Sequence, residues 1–172
     1  MLSEAGAIEG PGTRPVVAVV MQDQADLDVM RHSIDILHEA GVECLGWYGW
    51  SEAGLPGLAL FLTTFSESLE VLICSARGDG SFPQQLASVT TLPILSVPLP
   101  QAEKMNIDTL VAAAALPRGV AVGTFAIGKA GATNAGLEAI AILALHRPEL
   151  GPWLGEYRRK QTETVLAAKL ER

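Results

Sequence analysis

The chain has 172 residues, a mass of 18.1 kDa, a formal net charge of −7 and a pI near 4.9. That acidic balance argues against nucleic acid or an anionic membrane surface as a partner, because both need a basic patch. The length suits one well-filled core, and with 49% hydrophobic and only 18% charged residues some apolar surface is expected to lie between subunits.

The opening "MLSEAGAIEGPGTRP" has two glutamates and neither a basic n-region nor an apolar h-region, so it does not read as a signal peptide. Residues 1–14 are expected to form a flexible tail, and residues 15–172 a single α/β domain ending in oligomerisation helices. An unbroken apolar run at 16–21 predicts a buried strand. The loop after it, Gln22, Asp23, Gln24, Ala25 and Asp26, contains no glycine, whereas a phosphate-cradling turn normally needs one and disfavours carboxylates. Leu27, Met30, Ile34 and Leu37 recur at helical spacing, and Gly41 is placed to end that helix. Further strands are predicted at 42–48, 69–75 and 93–97, with a weaker one at 120–124. Helices are predicted over 58–68 and from Pro83, a residue suited to a first helical position. This alternation predicts a parallel sheet with helices on both faces.

Residues 130–145 are apolar nearly all round, which predicts a helix buried on every side; with Asn134 and Glu138 inside and only sixteen residues it is a poor membrane span. The last helix should present Leu150, Trp153, Leu154 and Tyr157 to the body and then turn polar. Cys44 and Cys74 have neither metal-ligand nor CxxC spacing, which predicts two ordinary thiols in a reducing, cytoplasmic compartment. Neither metal nor cofactor is expected. His32, His38 and His146 all fall on predicted helices, where structural or solvated roles are expected.

The run "LPRGVAVGTFAIGKAGATNAGLEAIAILAL", residues 116–145, resembles the 5-(carboxyamino)imidazole ribonucleotide mutase and aminoimidazole ribonucleotide carboxylase family of purine biosynthesis. "VAVVM", "TTLPILSVPL" and "YRRKQTETVL" also fall in register with that family, so the resemblance extends from about residue 15 to 166. It implies a flavodoxin-like three-layer α/β/α sandwich with a parallel sheet, assembled into a homo-octamer. The resemblance further implies three site motifs, each altered here. A Gly-Ser-x-Ser-Asp turn for phosphate and ribose is replaced by residues 22–26, with only Asp26 retained. A Ser-Ala-His-Arg-Thr-Pro motif, whose histidine is the family's general acid and base, aligns with Trp50 to Leu55 and places Glu52 at the position of the lost histidine. A glycine-rich motif after the third strand becomes "SARGDGSFPQQ", keeping Gly78 and Pro83 but putting Ser81 where its histidine would stand.

Physical chemistry then weighs these departures. Histidine suits proton transfer because its pKa lies near working pH; Glu52 would need burial to do the same. A carboxylate at Asp23, about 4 Å from a phosphate, would cost roughly 4 kcal/mol per unit charge at an effective dielectric near 20, about a thousandfold in affinity. Arg77 stands where the family has glycine, and is expected either to pair with Asp79 or Asp23 or to hold an anion. Trp47, Tyr48 and Trp50 are expected near the site mouth, where they would stack on a planar ring or fill space. The candidate site is therefore Glu52 and Ser81 as catalytic positions, with Gln22, Asp23, Asp26, Arg77, Gly78, Lys129, Ala130 and Gly131 as ligand-binding ones. Three functions stand open: a divergent paralogue acting on another small molecule or catalytically silent; a working carboxylase or mutase using Glu52; and a non-catalytic subunit co-assembling with an active relative.

Overall fold

The structure, a computed structural model, describes residues 7–8, 14–48, 50–100, 110–111 and 114–168. Its strands are β1 (Ala7–Ile8), β2 (Val17–Val20), β3 (Cys44–Trp47), β4 (Val71–Ala76), β5 (Ile94–Pro98) and β6 (Gly123–Thr124). Its helices are α1 (Leu27–Glu39), α2 (Trp50–Thr64), α3 (Phe82–Ala87), α4 (Lys129–Ala144) and α5 (Leu150–Ala167). One sheet runs in the order β1-β3-β2-β4-β5-β6. Five neighbours, from β3 to β6, are parallel, and β1 adds antiparallel to β3 with Ala7 opposite Trp47.

The strands are apolar because both faces are covered. Val17, Val19, Val71 and Ile73 face the layer of α1, α4 and α5, while Ala18, Val20, Leu72 and Cys74 face the layer of α2 and α3. Alternate side chains of one strand thus feed two separate cores, as the period of two requires. Burial pushes the thiols of Cys44 and Cys74 up to about 12, so neither is poised as a nucleophile.

The expected end of α1 is found in full. Gly41 has φ +71, its N–H donates to the His38 carbonyl at 2.9 Å, and the Val42 N–H donates to that of Leu37 at 2.9 Å. These are the two bonds of a Schellman cap. Elsewhere the sequence expectation needs correction. Ala7–Ile8, expected within a flexible tail, pair with β3; the remainder of that tail up to residue 13 lies outside the described residues. Helix α2 begins at Trp50 rather than residue 58 and stops at Thr64 rather than 68, with a break at Gly54 (φ 54, ψ −155) before Pro56. Glycine permits that left-handed step and proline starts the second segment without a missing bond.

Helix α4 is not enclosed within one chain. It buries Gly131, Ala132, Ala135, Gly136, Ala139 and Ile140, while Asn134 and Glu138 are exposed and Ile142 half-buried. The buried stripe lies against α1, where the Ser33 hydroxyl, fully buried, donates to the Ala132 carbonyl at 2.7 Å. Ser33→Ala removes that donor and leaves the carbonyl with one partner fewer, so a loss of about 1–2 kcal/mol is expected in urea denaturation. No change would mean that water replaces the hydroxyl. Helix α5 packs Leu150 and Leu154 on the body and is exposed from Arg158 onward. Among the described residues no helix is long and apolar enough to cross a membrane.

Candidate functional site

In a parallel sheet the crevice for a ligand opens at the carboxyl edge, where successive connections leave in opposite directions. Here the chain leaves β2 for β3 on one side and then crosses to β4 on the other. The topology therefore puts the expected crevice at the carboxyl ends of β2 and β4, and the loops there are residues 21–26 and 77–81.

Asp26 is the centre of this region and is 0% exposed. Its Oδ2 accepts from the Ser75 hydroxyl at 2.6 Å, the Gln22 N–H at 3.1 Å and the Asp23 N–H at 3.3 Å. Its Oδ1 forms an ion pair with Nε of Arg77. The Gln22 side chain in turn accepts the Arg77 N–H at 2.8 Å, and the Gln22 N–H also reaches the Ser75 oxygen at 3.0 Å. Three hydrogen bonds converge on Oδ2, while Oδ1 has the Arg77 cation beside it and no hydrogen bond of its own; together they offset the cost of burying the charge.

Asp23 has a different task. Its Oδ1 accepts the Ala25 N–H at 2.8 Å, and with Asp26 it forms a reciprocal capping box over the short 3₁₀ turn Gln24–Asp26 that leads into α1. The Asp26 N–H goes to the Asp23 carbonyl at 3.1 Å. The backbone donors of Gln22, Asp23, Ala25 and Asp26 are all satisfied from within the protein. This loop holds its own carboxylates.

The other predicted site residues are spread around that centre. Gly78 (φ 59, exposed) and Gly80 (φ 68, buried) turn the chain after β4, with the Gly80 N–H on the Arg77 carbonyl at 3.0 Å. The Ser81 N–H donates to Asp79 Oδ1 at 3.0 Å, and this bond, with that of the Ser81 hydroxyl, holds the exposed Asp79 carboxyl below its ordinary range. The Ser81 hydroxyl also accepts from Gln85 Nε2 at 3.1 Å. Lys129, at the start of α4, is 4.0 Å from Asp28 of α1; Ala130 beside it is exposed, and Gly131 is buried. Glu52 lies in the first turn of α2, and its side chain is outside the described residues.

Two expectations are corrected by this geometry. Arg77 pairs with Asp26, not with Asp79 or Asp23, because the adjacency of β2 and β4 carries its side chain to the start of α1. Trp47 is 7% exposed and stacks on Phe61 with centroids 5.4 Å apart, so it belongs to the core. Tyr48 packs against the opposite core. Trp50 alone of the three stays beside the β4 loop, tilted against Phe82 at 4.8 Å. Sequence reasoning missed Ser75, whose one signal is a hydroxyl near the end of an otherwise apolar strand.

Of the chain's three histidines, two sit at the amino edge of the sheet, away from the crevice. His38 Nε2 is 3.5 Å from the sulfur of Cys44, the first residue of β3. His146 Nε2 is 2.6 Å from Glu70, which precedes β4. Arg147 and His146 hold the Glu70 carboxyl below its ordinary range, against the opposing effect of partial burial. His32 lies along α1, half-buried. Among the described residues there is no cluster of three metal-ligating side chains.

The profile of the family described as AIR carboxylase matches residues 16–164. The N5-carboxyaminoimidazole ribonucleotide mutase of Vibrio cholerae is 34% identical over 155 residues, which cover 87% of this chain and 94% of that protein. The corresponding mutase of Escherichia coli K12 is 44% identical over 110 residues, 61% of this chain and 65% of that protein. Among solved structures, PurE of Treponema denticola superposes with a TM-score of 0.78 over 89% of this chain and 95% of that one. At 16% identity that likeness speaks for the fold.

Proposed function

The chain belongs to the AIR carboxylase family, and on that premise we propose that it is a divergent member whose crevice takes a small molecule other than an aminoimidazole ribonucleotide. The observation that carries this is the self-satisfied loop after β2. A phosphate is held by free N–H groups and small residues, but here Asp23 and Asp26 already take those donors. A phosphate arriving there would meet the exposed carboxylate of Asp23 and find few donors to repay the repulsion.

The distribution of histidine supports the same view. Proton transfer at a ring carbon needs a group with a suitable pKa within hydrogen-bond reach, and His38 and His146 lie at the opposite edge of the sheet. Catalysis, if the crevice performs any, would be carried by a carboxyl or hydroxyl group such as Glu52 or Ser81. The family's octamer is proposed for this chain as well: one side of α4 and Leu145, 86% exposed, offer apolar surface for a neighbouring copy to cover.

The test is direct. The purified protein, its mass in solution first established by sedimentation, is mixed with aminoimidazole ribonucleotide and with its two carboxylated forms. Turnover is followed by absorbance and binding by calorimetry. The expected result is an oligomer that neither binds nor converts any of the three. Conversion would overturn the proposal and make Glu52 the first residue to replace.

A further inference from the structure

We infer that the crevice receives a carboxylate group of its ligand and that Arg77 is the residue that receives it. This deepens the preceding reading of a ligand other than a phosphorylated one and rests on it. The guanidinium carries five N–H donors in one plane. Its Nε is buried beside Asp26 Oδ1 as an ion pair without a hydrogen bond, and the Arg77 backbone N–H is fixed by Gln22 at 2.8 Å. The side chain is nevertheless 36% exposed, and among the described residues neither terminal amino group donates to a protein acceptor.

Among the described residues a planar group is thus held from behind by a buried carboxylate, its outer edge without a protein acceptor, at the carboxyl end of a central strand. Two N–H bonds of that edge match the two oxygens of a carboxylate. Fixing the plane beforehand removes much of the ordering cost of such a contact. The turn through Gly78 and Gly80 leads the chain away immediately after Arg77 without placing a bulky side chain there. Charge selects between anions. The Arg77 and Asp26 charges cancel within the pair, and Asp23 remains exposed in the neighbouring loop. A phosphate dianion would feel about twice the repulsion of a carboxylate for the same pair of hydrogen bonds.

The experiment uses the full chain with nitrogen-15 in its arginine side chains, observed by NMR. Imidazole-4-carboxylate, the neutral imidazole-4-carboxamide and inorganic phosphate are added separately. Arg77→Lys, which keeps the charge but not the fork, identifies the Arg77 signals by their disappearance; calorimetry on that variant should show carboxylate binding weakened at least tenfold. The expected result is a saturable shift at Arg77 with the carboxylate and none with the other two. No shift with the carboxylate, or an equal shift with the carboxamide or phosphate, overturns the inference. If Arg77→Lys does not fold, Arg77→Gln or through-bond assignment of the labelled wild-type chain identifies the Arg77 signals, and the wild-type comparison of the three probes decides. Turnover of a ribonucleotide together with a carboxylate-specific shift would sink the preceding proposal while leaving this one standing; inert ribonucleotides with no such shift would do the reverse.

Discussion

Asp26→Ala is expected to lower stability by about 3–5 kcal/mol, the range for removing one member of a buried, hydrogen-bonded charge pair. For a chain of this size that corresponds to a fall of roughly 6–20 °C in unfolding temperature. The substitution strands two donors at once, the Ser75 hydroxyl and the Asp23 N–H, leaves the Gln22 N–H with the Ser75 oxygen as its one remaining acceptor, and leaves the Arg77 guanidinium without its counter-charge. Arg77 is itself partly exposed, so water takes over part of its solvation and most of the loss should come from the stranded donors. A double-mutant cycle with Arg77→Ala separates the two. A coupling of about 1–2 kcal/mol is expected for the pair, with the larger remainder assigned to the loop. A cost below about 1 kcal/mol for Asp26→Ala would show that the network forms without contributing to stability.

Gly131→Ala is the second large effect. A Cβ at that position would run into the Ala126 carbonyl, a backbone group that no rotamer change can move. The helix start sits directly on the loop that precedes it, where Gly128 caps α4 with φ +75 and donates to the Pro98 carbonyl at 2.9 Å. About 3 kcal/mol or more of destabilisation is expected, at the upper end of overpacking penalties. Gly136→Ala provides the contrast. Its Cβ would meet the Cγ2 methyl of Ile36, a branch stiff at χ1 in a helix but a side-chain rather than a backbone atom, and come within 3.2 Å of the Ser33 carbonyl, so a loss of about 1–3 kcal/mol is expected. Equal losses at both positions would mean that the α4 start can shift as a unit. The small residues of this segment thus have a packing reason within one chain, whatever ligand or neighbour they also meet.

Much of the fold was legible because it rests on local signals. The apolar runs gave the parallel strands, and the spacing from Leu27 to Leu37 with Gly41 gave α1 and its end. Strand β1 was not legible, since two residues carry no alternation and owe their conformation to the edge of β3. The first turn of α2, from Trp50, was hidden because Gly54 and Pro56 read as breakers, and Gly54 does interrupt the helix, parting that turn from the main segment. At the site, the loop sequences announced an unusual chemistry, but the partner of Arg77 lay 51 positions away at Asp26, a distance closed only by strand order. Asp79 and Asp23 were nearer in sequence or motif and were the wrong choice for that reason. Ser75 shows the same limit: one hydroxyl in an apolar strand acquires meaning only when its neighbour strand is known.

The two outermost strands have a consequence for how copies of the chain can meet. Among the described residues the sheet is bounded by β1 and β6, each two residues long. An open ladder of that length offers too few unpaired backbone groups to template another strand, and short borders of this kind are one way in which natural sheets resist end-on growth into fibrils. Association by sheet extension is thereby disfavoured at both borders, and close packing of copies falls to helical surfaces, where side-chain shape rather than generic backbone pairing decides which partner fits.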